Sequence, residues 1–212
     1  MKITSIEKQK RRNNRYSVFI DDKFSFGVSD IVLSNYNLHN GLEIDENELI
    51  KISEMEDVER GMRIAFRYNA QRPRSEFEFK TRLAKNKLSK NVINSIIIKL
   101  NSSLLINDAE FARMFVADKL KFRPISRIKM ENELLKKGIS RNLSESILDK
   151  YYSESSEKEF ATELAKKRFS RYFKNKITDE SIKKVMNFLL RRGYSFSLIS
   201  DVLKLFTKTS VY

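Results

Sequence analysis

The motif Arg72-Pro73-Arg74-Ser75 returns 51 positions later as Arg123-Pro124-Ile125-Ser126, and these two copies contain both prolines of the 212-residue chain. The same shift pairs Phe79 with Met130, Leu83 with Leu134, Val92 with Leu143 and Ile96 with Ile147. A third copy, 55 positions after the second, pairs Leu134 with Leu189, Gly138 with Gly193 and Ser140 with Ser195. The pattern predicts a tandem array of one helical unit, an architecture that usually offers a long surface to an extended partner.

Each unit carries signals for three helices. The second helix follows the R-P-x-S motif, where Ser75 and Glu78 have the spacing of a capping box, and in the later units it ends near Gly138 or Gly193. Lys87 holds the equivalent position in the first unit, so we expect left-handed backbone there. Caps are expected at Asn107 and Ser156 for two first helices, and at Ser89, Ser140 and Ser195 for the third helices.

The start of the chain has a different pattern. Residues 15–20 and 23–28 alternate aromatic or β-branched side chains with polar ones around Asp21-Asp22, which indicates a β-hairpin, and residues 3–6 are expected to add a third strand. A short helix capped by Ser29 or Asp30 follows, and Asp45 begins an acidic helix. The predicted organisation is a β-rich domain at 1–40, an acidic connecting segment at 41–59 and helical repeats at 60–105, 106–153 and 154–212.

The expected fold class is therefore mainly α-helical: three tandem three-helix repeats form an elongated, curved array behind a small N-terminal domain with a β-hairpin. Charge follows this division, because residues 1–59 carry a net −4 and residues 60–212 a net +18, for a total of +14. A basic repeat array suggests nucleic acid, an acidic protein groove or an anionic membrane surface as partner, although a solvated face would also carry such charge.

Several functional classes find no support in the sequence. There are no cysteines, five glycines and one histidine, His39, in a polar loop, so we expect no catalytic constellation, cofactor or metal site and conclude that the protein is not an enzyme. No apolar run has the length of a membrane helix and no secretory signal is visible, so we expect a cytoplasmic protein. A membrane-surface role lacks an amphipathic helix with a Lys-rich face.

Cations recur at the junction between the first and second helices of each unit. Recurrence at one place in each repeat would align them into a stripe, which we treat as the candidate surface for a partner or for DNA. Its members are Arg67, Arg72, Arg74, Lys119, Lys121, Arg123, Arg127, Lys129, Arg168, Arg171 and Lys174. Phe66, Phe122 and Tyr172 interleave with these cations, as in some single-strand binders, but core or repeat-interface positions explain them more simply.

Several short motifs follow one another in a characteristic order along the chain. They are Arg74-Ser75-Glu76 at a helix start, Leu105-Ile106-Asn107-Asp108-Ala109-Glu110-Phe111-Ala112, and Leu134-Leu135-Lys136-Lys137-Gly138-Ile139. In this order they resemble the RecX family, bacterial regulators of the RecA recombinase, and the resemblance covers about residues 56–206. The resemblance implies three tandem three-helix repeats and a non-enzymatic protein. Such a protein binds in the groove of the RecA–DNA filament, limits filament extension, promotes disassembly and modulates recombination, repair and the SOS response.

Two functions compete at this point. In the first, a monomer inhibits RecA, and its basic face meets acidic protein surface, DNA backbone or both; we also expect weak, sequence-independent binding to single- or double-stranded DNA. In the second, the chain is a stand-alone DNA-binding protein with helix-turn-helix-like units, which requires a recognition helix with exposed Arg, Asn or Gln. The third helices are instead rich in Ile, Leu, Ser and Asn, which favours the first function.

Overall fold

The structure is a computed structural model that describes residues 1–10, 14–174 and 177–207. Within these residues it contains three strands and ten helices, which confirms the mainly helical class with a small β-containing start. The chain divides into an N-terminal unit, residues 1–106, and a C-terminal unit, residues 107–212. The strands are β1 (Ile3–Lys8), β2 (Arg15–Ile20) and β3 (Lys23–Ser29). The helices of the N-terminal unit are α1 (Asp30–Asn35), α2 (Glu46–Asn69), α3 (Glu76–Lys85) and α4 (Lys90–Ser102).

The three strands form one antiparallel sheet in the order β1-β2-β3. Asp21 and Asp22 connect β2 to β3 with φ values of 49° and 62°, which is the left-handed pair that a tight two-residue hairpin requires. Ser29 caps α1, since its hydroxyl accepts from the backbone N–H of Val32. Ile3, Val18, Val28 and Val32 are fully buried in the core that the sheet and α1 share with Ile52 of α2.

Helix α2 joins this small domain to the first repeat. It is one helix of 24 residues, begun by a capping box between Asp45 and Glu48. Ile52 packs in the core of the small domain, whereas Val58 and Ala65 pack in the core of the first repeat. The acidic segment and the first helix of repeat 1 are therefore continuous, and the predicted boundary at residues 59 and 60 lies inside α2.

A buried carboxylate reinforces this connection. Glu56 on α2 receives a hydrogen bond of 2.7 Å from the backbone N–H of Ser29 at the end of β3. Its carboxylate also lies 2.6 Å from the guanidinium of Arg15 on β2 and 3.3 Å from that of Arg63 on α2. The sheet, the start of α1 and the middle of α2 thus share one charged, hydrogen-bonded group.

The C-terminal unit contains the second and third repeats. Its helices are α5 (Asp108–Phe122), α6 (Arg127–Leu135), α7 (Arg141–Tyr151), α8 (Glu154–Phe173), α9 (Asp179–Arg191) and α10 (Phe196–Thr207). Each repeat has its own core, and Phe160 of α8 packs against both. The two repeats are therefore in direct contact, as expected for neighbours in a tandem array.

Most predicted helix starts and ends are confirmed. Ser89, Asn107 and Ser140 are N-caps of α4, α5 and α7, and Ser75 caps α3 by accepting from the N–H of Glu78. Lys87, Gly138 and Gly193 all have left-handed φ, at 61°, 80° and 88°.

The first helix of the third repeat starts earlier than predicted. Ser156 was the expected cap of α8, but Ser153 is the cap, and Ser156 is the third helical residue and bonds back to it. The second helix of the third repeat has the same arrangement, because Thr178 caps α9 and Ser181 lies at its third position. In both places two hydroxyl residues three positions apart form a capping box, in which each side chain bonds to the backbone N–H of the other, and the earlier residue is the cap.

Candidate partner-binding surface

A groove in the C-terminal unit collects several of the predicted cations. It lies between the start of α6, the end of α5 and the end of α9, and has a volume of about 300 Å³. We call it the basic groove, and it is lined by Lys119, Arg123, Ile125, Lys129, Glu133, Phe188, Arg191 and Arg192. Five of these eight side chains are cationic and one is acidic, so an anion is the ligand that the groove suits.

The groove exists because the R-P-x-S motif of repeat 2 meets the end of α9. The backbone N–H of Ser126 donates to the carbonyl of Arg192 at 3.0 Å, and the Lys129 ammonium donates to the carbonyl of Arg191. Arg192 returns a bond of 3.0 Å from its guanidinium to the carbonyl of Pro124. The last carbonyls of α9, which no helical N–H can reach, are thus satisfied by the start of α6.

Gly193 permits this close approach. A Cβ on this residue would lie 2.6 Å from Oγ of Ser126 and 2.8 Å from Cβ of Lys129, and the φ of +88° is one that glycine tolerates best. Behind the motif, the Tyr152 hydroxyl donates to the carbonyl of Ile125 at 2.8 Å. Burial raises the pKa of Tyr152 and of nearby Tyr194 well above the usual range of a phenol.

Within the groove the cations differ in what they can offer to a ligand. Lys119 is paired with Glu133 at 2.5 Å, and Lys129 and Arg192 hold the groove together. Arg123 and Arg191 are exposed, and neither guanidinium has a hydrogen bond or ion pair with the described residues. These two are therefore the groove cations available to an incoming anion.

The remaining predicted cations of the C-terminal unit lie outside the groove. Arg127 is paired with Asp149 at 2.5 Å, and its backbone N–H donates to Glu157 at 3.0 Å. The guanidinium of Arg168 lies 4.1 Å from the ring centre of Tyr172 and 4.9 Å from that of Phe188. The exposed members are Lys121, Arg171 and Lys174.

In the N-terminal unit the three predicted cations have local contacts. Arg74 is only 9% exposed, stacks 3.9 Å from the ring centre of Tyr68 and donates to that residue's carbonyl. Arg72 is exposed but paired with Glu78 at 2.9 Å, and the Nε of Arg67 donates to the carbonyl of Arg63. Arg74 therefore stabilises the turn between α2 and α3 and has little surface left for a partner.

Sequence reasoning missed Arg191 and Arg192 as site residues. Both precede a glycine at a helix end, where cations suit the negative end of the helix, and the equivalent Lys136 and Lys137 do the same. The sequence signal was present, since two consecutive basic residues precede the glycine in both copies. Their placement opposite Lys129, 62 residues away in the chain, depends on packing and was not predictable.

The aromatic residues near these cations were expected to be buried, and three of them are not. Phe66 is 50% exposed, Phe122 71% and Tyr172 56%. Phe122 and Tyr172 lie in the last turn of α5 and α8, past the apolar stripe that faces the core. The Lys121 ammonium lies 5.3 Å from the ring centre of Phe122, so a cation and an exposed ring are adjacent there.

The described part of the chain contains neither a group of metal-ligating side chains nor a membrane-spanning helix. No cluster of three or more acidic or histidine side chains is placed to hold a metal ion among residues 1–10, 14–174 and 177–207. The same residues contain no helix that is long and apolar enough to cross a membrane.

Comparison with known proteins identifies the family. Residues 1–45 match the model of the regulatory protein RecX N-terminal domain, residues 107–148 the second RecX three-helix domain and residues 157–203 the third. Regulatory protein RecX of Listeria monocytogenes serotype 4a is 33% identical over 199 residues, which are 93% of this chain and 73% of that protein. The Bacillus subtilis protein of the same name is 31% identical, over 93% and 74%.

Solved structures agree with the sequence comparison. A crystal structure of regulatory protein RecX aligns with a TM-score of 0.69 and 26% identity, covering 96% of this chain and 98% of that one. RecX from Lactobacillus salivarius aligns with a TM-score of 0.60 and 25% identity, covering 72% and 98%. The N-terminal domain and the second and third three-helix domains match in this order, and this chain belongs to the RecX family of regulatory proteins.

Proposed function

We propose that this protein is a non-enzymatic inhibitor of the RecA recombinase that binds in the groove of the RecA–DNA filament. The observation that carries the proposal is the match of the N-terminal, second and third RecX domains in order along one chain. Through the filament the protein would modulate DNA recombination, repair and the SOS response. The proposal includes action in the cytoplasm, since the filament forms on DNA, and action as a monomer.

The charge distribution supports a filament as partner. The net charge of +18 over residues 60–212 attracts an assembly whose DNA carries a negative charge at every phosphate. Tandem repeats suit a partner that is itself periodic, because successive repeats present related surfaces to successive positions of the partner. Of the predicted stripe, Lys119, Arg123 and Lys129 lie at the groove where repeat 2 contacts repeat 3, and we propose this junction as one contact region.

The alternative function, a stand-alone DNA-binding protein, has one observation in its favour. Arg141 and Asn142 are exposed at the start of α7, the position from which a recognition helix would reach base edges. Arg141 lies 3.7 Å from Glu131, however, so its guanidinium already has an acidic neighbour on α6. The cations are explained with fewer assumptions if they contact phosphates independently of base sequence as part of filament binding.

The proposal is tested by assays of the cognate RecA on single-stranded DNA. We expect this protein, added at less than one copy per RecA subunit, to reduce DNA-stimulated ATP hydrolysis and strand exchange. The order of addition separates two actions. Protein added before RecA tests whether it limits filament extension, and protein added to preformed filaments tests whether it promotes their disassembly. Unchanged ATP hydrolysis and strand exchange at saturating protein would refute the proposed function.

A further inference from the structure

The basic groove of the C-terminal unit differs from an ordinary solvated face. It is concave, it is built by hydrogen bonds between two repeats, and at its edge are two guanidiniums, those of Arg123 and Arg191, that have no partner among the described residues. We propose that it binds the phosphodiester backbone of nucleic acid, with Arg123 and Arg191 as the residues that contact phosphate. The inference rests on the proposed function, because it assigns to this groove the DNA contact that filament binding would involve.

The two arginines have the chemistry that phosphate requires. A guanidinium presents several N–H donors in one plane and binds two phosphate oxygens at once, which a lysine ammonium cannot do with the same geometry. Arg123 comes from the end of α5 and Arg191 from the end of α9, so the pair approaches a ligand from different repeats. Lys129 and Arg192 act as positioning residues, because their own bonds hold α9 against the R-P-x-S motif.

The groove suits nucleic acid better than an acidic protein segment. Protein interfaces derive most of their affinity from buried aromatic and aliphatic anchors, whereas interfaces with nucleic acid are more polar and more positive. The apolar lining here consists of Ile125, which is 4% exposed, and Phe188. The one acidic side chain, Glu133, is neutralised by Lys119 at 2.5 Å and does not oppose an incoming phosphate strongly.

Base stacking is not the expected mode of contact. The ring of Phe188 already has the guanidinium of Arg168 at 4.9 Å and that of Arg192 at 5.1 Å from its centre. Stacking of a base on this ring would displace both guanidiniums, and that of Arg192 also holds the groove together through its bond to the carbonyl of Pro124. The contact should therefore be independent of base sequence and strongly dependent on salt.

The test measures binding of the full chain, without RecA, to a fluorescent single-stranded oligonucleotide across a range of salt concentrations. The double variant Arg123→Ala with Arg191→Ala should lower the log–log salt slope by about 1.4, since each phosphate contact on a single strand contributes about 0.7. The matched control is Lys166→Ala with Lys183→Ala, which removes the same charge from exposed lysines outside the groove. It should change the slope by less than about 0.5.

A charge-conserving variant separates contact from folding. Arg123→Lys with Arg191→Lys should keep most of the salt slope but bind with lower affinity, because the bidentate geometry is lost. Thermal melts should be alike for all variants, since both arginines are exposed and have no protein partner among the described residues. Equal slope losses in the double alanine variant and its lysine control would overturn the proposal.

Two further arms separate this inference from the proposed function. If the double alanine variant loses affinity for poly-glutamate but keeps the wild-type salt slope for DNA binding, the groove binds acidic protein and the inference is wrong. If wild-type protein leaves RecA activity unchanged while the DNA result holds, the proposed function fails and the groove assignment stands. Loss of DNA binding together with weaker RecA inhibition in the double alanine variant supports both.

Discussion

Three residues end the second helix of their repeats with left-handed backbone, and their side chains differ. Lys87 has φ of 61°, Gly138 of 80° and Gly193 of 88°. The left-handed conformation is therefore a feature of the repeat and not of glycine alone. Its effect on stability depends on what surrounds each residue. Gly193 lies against Ser126 and Lys129, so its missing side chain also matters for packing.

Replacement of Gly193 by alanine should be the most damaging change at these positions. The left-handed backbone costs an L-residue about 1 kcal/mol, and crowding against Ser126 and Lys129 adds about 1–3 kcal/mol. Gly138→Ala should cost about 1 kcal/mol for the backbone alone. Lys87→Gly should be neutral or stabilise by up to about 1 kcal/mol, since relief of strain is offset by the flexibility of glycine in the unfolded chain.

Urea unfolding of the three variants tests this order. If Gly193→Ala left the free energy of unfolding unchanged, or if Lys87→Gly lowered it strongly, the ends of the second helices would be placed wrongly.

Two buried tyrosines give a second contrast at the residue scale. The Tyr152 hydroxyl bonds to the carbonyl of Ile125, whereas that of Tyr194 has no partner among the described residues. Tyr152→Phe should therefore lower the free energy of unfolding by about 1 kcal/mol, and Tyr194→Phe should leave it unchanged or raise it. Thermal melts of the two variants test this difference, and equal losses of stability would contradict the assigned contacts.

The same tyrosines predict a dependence on alkaline pH. Burial raises both phenol pKa values in the folded state, so the folded protein favours the neutral form. This stability is fully present below the unfolded pKa of about 10 and is lost as pH rises above it toward the folded values. The double phenylalanine variant should lose less stability than the wild type between about pH 9 and pH 11.

At the scale of elements, α2 links the small sheet domain to the first repeat. Its connection rests on Glu56, whose carboxylate is held by Arg15, Arg63 and the N–H of Ser29. Gly61, one turn further along, lets α2 approach Ile96 of α4 closely. The helix therefore packs against the sheet domain with one half and against the first repeat with the other.

Removal of this carboxylate should destabilise the N-terminal unit. Glu56→Ala removes the carboxylate that pairs with Arg15 and accepts from the N–H of Ser29, and should cost about 2–4 kcal/mol. The neighbouring Asp57→Ala is the matched control, because Asp57 pairs with Arg60 at the surface and should cost less than about 1 kcal/mol. Similar midpoints for the two variants in chemical denaturation would show that the buried group has no special role.

How far the sequence predicted these elements depends on the range of the forces involved. The caps Ser89, Asn107 and Ser140 were predictable because each bonds only to its own first turn. The start of α8 was misplaced because Ser153 and Ser156 compete locally for the same role. The basic groove was predicted only in part, since the Lys129 ammonium meets the carbonyl of Arg191 through tertiary packing that no local pattern encodes.

At the scale of the whole molecule, charge and repetition point to the same kind of partner. Residues 60–212 carry +18 and contain the repeats, whereas residues 1–59 carry −4 and form the sheet domain and half of α2. A RecX-family protein of this composition is expected to be drawn to a polyanionic filament by long-range attraction. Inhibition should weaken as salt rises, because the attraction between exposed charges is screened.

The length of RecA filaments on single-stranded DNA tests the central claim most directly. Filaments of the cognate RecA would be assembled with ATP, mixed with this protein at about one copy per ten RecA subunits, and measured by electron microscopy over time. The account predicts progressive shortening relative to a buffer control, with a smaller effect for the Arg123→Ala, Arg191→Ala double variant. Filaments that keep their full length in the presence of wild-type protein would contradict it.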